Sequence, residues 1–274
     1  MRLGPIVGAT LIVRDLQRSI DAYVDILGLV LRLCDRLPKQ RALDMGETAL
    51  IDAPRAQLRC PADAEADSWL TLIEAAHAQP ALAYERRGCL ALALPVTNLD
   101  VLCQRLNGSA FELAPGADNG PFQNSRRAQA IIGPSGELIY LLELESQSTG
   151  SSLPAYQVDR PCTVVIGAQQ AATALGFYEG LGLLGRTHTN WSPGSLERGG
   201  PNGESRGLAI AQLAGAHTVL IDEVPFLPPA DSALRLGFRL ISFTRSDARK
   251  RLAAADDPSA RILAGPAGEA IELL

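Results

Sequence analysis

The sequence predicts an α+β protein built from four β-α-β-β-β units, and three observations carry that prediction. First, residues 8–32 (GATLIVRDLQRSIDAYVDILGLVLR) recur 154 positions later as residues 162–186 (CTVVIGAQQAATALGFYEGLGLLGR). Ile12, Leu27, Gly28, Leu29 and Arg32 fall on Ile166, Leu181, Gly182, Leu183 and Arg186, and Tyr23 falls on Phe177. Such self-similarity marks a duplicated architecture. Second, a Gly-Pro turn closes each half: GPSGELIYLLE starts at Gly133 and GPAGEAIELL at Gly265, an offset of 132 that sets Tyr140 opposite Glu272. Third, the apolar residues between these landmarks come in short runs broken by Gly, Pro and Asp, which is the punctuation of antiparallel strands.

Each element follows in chain order. Residues 10–13 are β-branched and apolar, as in a buried strand. Asp15 can cap a helix that carries Leu16, Ile20, Tyr23 and Leu27 at helical spacing, and Leu27-Gly28-Leu29 stops it. Strands are expected over 30–35, 41–52 and 69–74. The second unit has a strand over 89–96, a helix from the cap Asn98 to Leu106, and a strand-turn-strand over 128–143. Residues 115–127 form a loop. Residues 145–155 (ESQSTGSSLPA) have no apolar periodicity and read as a linker, dividing the chain into domains 1–145 and 156–274. The third unit offers a strand over 162–166, a helix over Ala171–Gly180, a Gly, Pro and Ser-rich loop over 187–207 carrying Trp191, and two strands around Gly215. The fourth offers a strand over 234–243, a helix over 247–255 and a final strand after the GPAG turn. SWLTLIEAA and AHTVLIDEV align with an offset of 148, which sets Glu74 opposite Asp222.

Composition narrows the class. The 274 residues are 47% hydrophobic and 20% charged, enough apolar material for a core in each half. Net charge is −5 and no basic face is interleaved with aromatics, which argues against a nucleic-acid partner. Five cysteines without paired spacing fit reduced thiols, and the first residues form neither a signal peptide nor a membrane span. The expectation is a cytoplasmic protein with no membrane partner, and exposed sheet edges leave room for a homodimer.

Val13-Arg-Asp-Leu16, Arg18-Ser19, Tyr23 and Leu27-Gly-Leu29, with the turns Gly133-Pro-Ser-Gly136 before Ile139 and Gly265-Pro-Ala-Gly268 before Ile271, resemble the vicinal oxygen chelate superfamily. That group includes glyoxalase I, extradiol dioxygenases and bleomycin-resistance proteins. The resemblance implies that the units pair, one with two and three with four, into two open cup-shaped mixed sheets. It also implies a divalent metal in a cup, held by His, Glu or Gln from four strand positions. Carried onto this chain, those positions are Gly8, Glu74, Ala91 (or Cys89) and Tyr140, then Cys162, Asp222, Gly237 and Glu272. A catalytic divalent site generally wants three protein ligands. Neither half supplies the family's set, and His77, His188 and His217 fall at none of the positions. No cofactor is therefore expected; a metal, if bound, would sit at Asp222 and Glu272.

Strand alternation adds the cup-facing neighbours. In the first half these are Thr10, Ile12, Leu70, Leu72, Ala93, Leu138 and Leu142, around Glu74 and Tyr140. In the second they are Val164, Ile166, Leu220, Arg239, Ile241 and Ala270, around Cys162, Asp222 and Glu272. Arg239 with two carboxylates is the most polar constellation, either a structural ion network or a ligand site. The candidate ligand-binding set is thus Arg239, Asp222, Glu272, Cys162 and Trp191, with Tyr140 and Glu74 in the other cup. Cys162 lacks an activating base and reads as an inert thiol. The function expected is metal-free binding of a small organic molecule, as in the bleomycin-resistance branch. The alternative is a metal-dependent lyase or ring-cleaving dioxygenase working in the second domain.

Overall fold

The computed structural model describes residues 2–63, 67–80, 85–114, 122, 125–144, 158–191, 206–230, 233–245 and 260–274. Unit one holds β1 (Leu3–Val13), α1 (Leu16–Asp21) continued by a π-helical turn (Ala22–Ile26), β2 (Val30–Arg36), α2 (Lys39–Asp44), a 3₁₀ turn (Thr48–Leu50), β3 (Pro54–Arg59) and β4 (Leu70–Glu74). Unit two holds β5 (Gly88–Val96), α3 (Leu99–Leu106), β6 (Glu112–Leu113), β7 (Ser125–Ile132) and β8 (Leu138–Leu144). Unit three holds β9 (Thr163–Ala168), α4 (Ala171–Gly180), β10 (Gly185–Trp191), β11 (Arg206–Gln212) and β12 (Thr218–Glu223). Unit four shows β13 (Gly237–Arg245), β14 (Arg261–Ala264) and β15 (Ala270–Leu273). The linker expected at 145–155 and the helix expected at 247–255 lie outside the described residues.

The units pair in a different order from the one the sequence reading expected. A seven-stranded sheet runs β14-β15-β13-β1-β4-β3-β2, joining unit one to unit four, and an eight-stranded sheet runs β10-β11-β12-β9-β5-β8-β7-β6, joining unit three to unit two. Both joints are antiparallel contacts between first strands, β1 with β13 and β9 with β5. Each joint contains a bulge, opposite Thr10/Leu11 and at Cys89/Ala91, that lets one extra residue, Arg239 or Leu90, into the strand. Four units of one pattern offer four similar strand edges, so periodicity could not rank the pairings; the long-range match of edges did.

The main core lies where the two sheets turn one face each toward the helices: Leu11, Leu70, Leu72 and Ile241 of one sheet meet Leu92, Val164 and Ile166 of the other, with Tyr23 and Tyr178 among them. The opposite faces, the cups, carry two separate clusters. Leu70, Leu72, Val164, Ile166 and Ile241 were expected in the cups and lie on the helix side instead.

A one-residue slip explains much of this. Tyr23 and Tyr178 occupy matching places, each donating from its hydroxyl to a buried glutamate, Glu137 at 2.8 Å and Glu269 at 3.0 Å. They stand 155 residues apart, whereas the following Leu-Gly-Leu motifs stand 154 apart. The π-helical turn at Ala22–Ile26 absorbs the extra residue. The offset of 154 therefore holds after the helix, and the strand before it belongs at 155. Tyr23 matches Tyr178, not Phe177.

The same pairs show what the Gly-Pro turns do. Glu137 curls back to accept from the Ser135 amide at 2.9 Å, and Glu269 from the Ala267 amide at 2.9 Å. A Cβ on Gly133 would lie 2.0 Å from the Glu137 carboxylate, so only glycine fits there. Each turn thus clasps its own glutamate, and a tyrosine from a helical segment of a unit in the other sheet closes the clasp.

Residues 41–52, expected as a strand, form α2 and the 3₁₀ turn instead, and the strand is β3 at Pro54–Arg59. Pro38 presets the first turn, and Ala42, Leu43 and Met45 are good helix formers. Leu37, Ala42, Met45 and Leu50 of this insertion pack onto Ile12, Ile73 and Leu240, and so cover the cup of the seven-stranded sheet. Among the described residues no helix is long and apolar enough to cross a membrane. All five cysteines are free thiols.

Candidate functional site

The ladders align the two cups row by row. In the seven-stranded cup Thr10, Thr71 and Gln57 lie side by side, and in the eight-stranded cup Val165, Leu220 and Ile210 do. A second row reads Gly8, Ser242, Glu272, Ile262 in the first cup and Thr163, Ala93, Tyr140, Ala130 in the second. The match of Tyr140 with Glu272 holds as the turn spacing predicts. Two backbones of one design therefore carry a polar floor and an apolar one.

Much of the polar floor is paired within its own chain. Glu272 is 1% exposed; it accepts from Ser242 Oγ at 2.6 Å and pairs with Arg41 of α2. Arg239, brought to the cup side by the bulge, pairs with Glu47 of the same insertion. Arg55, 2% exposed, is gripped by Asp35 at 2.8 and 2.6 Å, and this pairing holds the Asp35 carboxyl below its usual range. Charges taken from water need such partners. This cup is tied shut.

The apolar floor holds the Arg206–Asp222 ion pair. Asp222, fully buried, takes both forks of Arg206, Nε at 2.6 Å and Nη2 at 2.5 Å. Around it lie Leu208, Ile210, Leu220 and Val165, with Ala91, Ala93, Ala114 and Ala130. Tyr140 and Phe122 stand 4.8 Å apart at a tilt of 58°, an aromatic wall. Cys162 packs against this cluster, and its thiol lies 3.7 Å from the Ala93 carbonyl. Burial raises its pKa, which keeps it a thiol and agrees with its reading as inert.

The trio of Arg239, Asp222 and Glu272 is not a site. Asp222 belongs to one cup and the other two to the second, because the units pair one with four and two with three. Cys162, Tyr140 and Asp222 do share a cup. Glu74 belongs to neither: it lies on the helix side, and its carboxylate accepts from the Leu16 amide at 3.0 Å. Glu223 does the same for Ala171 at 3.0 Å and Glu143 for Leu99 at 3.4 Å, so the structural match of Glu74 is Glu223, not Asp222. Glu74→Ala is expected to cost about 1 kcal/mol of stability, the size of a lost helix cap, and to leave ligand binding untouched. Denaturant unfolding checks the first expectation and ligand titration the second. Trp191 ends β10 in register with Arg206, inside a strand rather than a loop, while 192–205 lie outside the described residues. Of the loop expected at 115–127, Phe122 is described and Ser125 onward is β7; the rest lies outside.

The divalent metal that the resemblance implies does not fit either donor set. Each buried carboxylate in a cup, Glu272 or Asp222, already faces a guanidinium, which disfavours a second cation. Their row neighbours are Gly, Ser, Thr, Ala and aliphatic side chains. Among the described residues no three His, Cys, Asp or Glu side chains gather into a metal-binding group. His217 is occupied elsewhere: its Nδ1 accepts from the Ile6 amide at 3.3 Å, tying the two sheets, and burial lowers its pKa.

Sequence reading missed Arg206, Arg41 and Glu47. Each acts through a partner distant in the chain, and no spacing signals that. Ala91, Ala93 and Ala130 were legible as strand residues, but small side chains announce room only when both sides of a cup are known.

With this geometry in hand, comparison with solved structures identifies the architecture. A candidate dioxygenase from Bacillus subtilis superposes with a TM-score of 0.66 at 13% identity, over 99% of this chain and 85% of that one. The fold is that of the vicinal oxygen chelate superfamily. Glyoxalase I from Zea mays shares this vicinal oxygen chelate fold with a TM-score of 0.59 at 13% identity, over 98% of this chain and 91% of that one. No protein-family model matches the sequence, and no curated protein matches it.

Proposed function

We propose that the chain is a binding protein of the vicinal oxygen chelate fold that holds a small, largely apolar organic molecule in its eight-stranded cup, without a divalent metal. The contrast between the cups carries this reading: one is polar, ion-paired and covered by the α2 insertion, while the other pairs an alanine-rich floor with the Tyr140–Phe122 wall. Ligand sites are concave and mostly apolar with a few placed polar groups, and Arg206–Asp222 with Thr163 would supply those. The names of the two structural neighbours favour a second reading, a metal-dependent lyase or dioxygenase. The donor sets of both cups speak against it.

Two measurements test the proposal. Elemental analysis of protein purified without chelator is expected to find far less than one metal per chain. Close to one metal per chain, lost in Asp222→Ala or Glu272→Ala, would establish the second reading instead. The dye 1-anilinonaphthalene-8-sulfonate is expected to bind saturably, and Ala130→Leu, which fills the floor, to weaken it at least tenfold. The overpacking itself should cost about 1–3 kcal/mol of stability, so the variant's fold is checked by its melting curve. Dye affinity unchanged in a folded Ala130→Leu protein would place the molecule elsewhere.

A further inference from the structure

The two cups differ in where their charged partners sit. In the eight-stranded cup Arg206 lies on β11 and Asp222 on β12, so both members of that pair belong to the sheet. In the seven-stranded cup two pairs cross from the sheet to the insertion that covers it. Glu272 of β15 meets Arg41, and Arg239 of β13 meets Glu47.

Residues 37–53 leave the sheet and rejoin it at one place. β2 ends at Arg36, β3 begins at Pro54, and these two residues face each other in the ladder. Just beyond them Leu37 donates its amide to the Ala53 carbonyl at 2.9 Å and accepts from the Asp52 amide at 3.2 Å. Arg36 Nη1 donates to the Asp52 carbonyl at 2.7 Å. The insertion is therefore a compact loop on a closed neck. Among the described residues, every backbone hydrogen bond of 38–51 closes inside the insertion, as from the Glu47 amide to Ala42 and from the Leu50 amide to Glu47. Side chains do the fastening to the sheet.

That fastening is weak where it is charged. Arg41 and Glu272 gave up water to meet, and both regain it if the insertion lifts, so the pair adds little net hold. The Arg239 side chain is 29% exposed, so water already screens its pair with Glu47. The hold comes chiefly from Ala42, Met45 and Leu50 packed on Ile12, Ile73 and Leu240. Lys39, Gln40, Leu43 and Asp44, on the outer side, face solvent. A segment with few apolar contacts and no ladder bonds to break opens at the low end of local stability.

We propose that residues 38–51 are a gating lid, which lifts from the seven-stranded cup as a unit on its neck and opens the polar floor to small molecules. The lid is separate from the eight-stranded cup, so it stands or falls independently of the reading given above.

Ser242 reports on the floor: it is 7% exposed, and its hydroxyl donates to the Glu272 carboxylate that Arg41 caps. The test is iodoacetamide labelling of the full chain carrying Ser242→Cys, read by mass spectrometry at the peptide that contains this thiol. Labelling is expected at least tenfold faster than the unfolded fraction of the same variant allows, and less steeply dependent on urea than global unfolding is. Adding Arg41→Gln is expected to speed it at least tenfold further, because Glu272 is then stranded only while the lid is down. Should that variant fail to fold, Glu47→Gln takes its place, with at least a threefold increase expected from the more exposed pair. Labelling no faster than global unfolding allows overturns the proposal. So does a rate unchanged in the folded Arg41→Gln or Glu47→Gln chain, since the floor would then be reached by a route the lid does not control.

Discussion

Replacing Asp222 with alanine is expected to lower the unfolding free energy by about 3–5 kcal/mol, the cost of stranding one member of a buried ion pair. The side chains of Asp222 and Arg206 are 1% and 10% exposed, and two bonds of 2.6 and 2.5 Å join them at an apolar cup. The loss should appear as a lower urea midpoint with the slope of the transition unchanged. The double variant Arg206→Leu/Asp222→Leu is expected to recover most of it, because removing both charges leaves neither unpaired. A cost below about 1 kcal/mol in the single variant would mean that water reaches the pair, since exposed pairs are worth no more than that. The clamp would then not be the buried polar anchor of the cup.

Glu137 should make stability fall as pH rises. Burial raises its carboxyl from an ordinary 4.5 to about 7, more than the hydrogen bonds from Tyr23 and the Ser135 amide pull it down. The folded chain thus holds this proton more tightly than the unfolded chain does. The resulting stabilisation is complete below about pH 4.5 and is lost as pH rises through about 7. The shift corresponds to about 3 kcal/mol. In Glu137→Gln the amide cannot ionise, so the stability of the wild type minus that of the variant should decline between those pH values and stay flat above them. Glu269, raised for the same chief reason, adds to the slope in the wild type and cancels in the difference. A flat difference curve would show that Glu137 ionises as a solvated carboxylate does. Because Tyr23 lies in the helical segment that follows β1 and Glu137 in the turn before β8, and those strands belong to different sheets, the junction between sheets is the part of the fold most exposed to this titration.

The repeat, the strand runs, the capping Asp15 and Asn98 and the two Gly-Pro turns were legible in the chain because each depends on residues close in sequence. Asp15 accepts from the Arg18 amide at 2.9 Å and Asn98 from the Val101 amide at 3.2 Å, both within one turn. Four β-α-β-β-β units, and with them the fold class, follow from that local information. What required the tertiary structure is everything that joins one unit to another. The edges of β1, β5, β9 and β13 resemble one another, so only their three-dimensional fit decides that unit one meets four and two meets three, and this dissolves the trio of Arg239, Asp222 and Glu272. A single residue absorbed in the π-helical turn shifts the alignment of the strand before it, and one residue in a strand exchanges cup for core. Arg41, Glu47 and Arg206 find their charges' partners 231, 192 and 16 positions away, distances at which periodicity carries no information about contact.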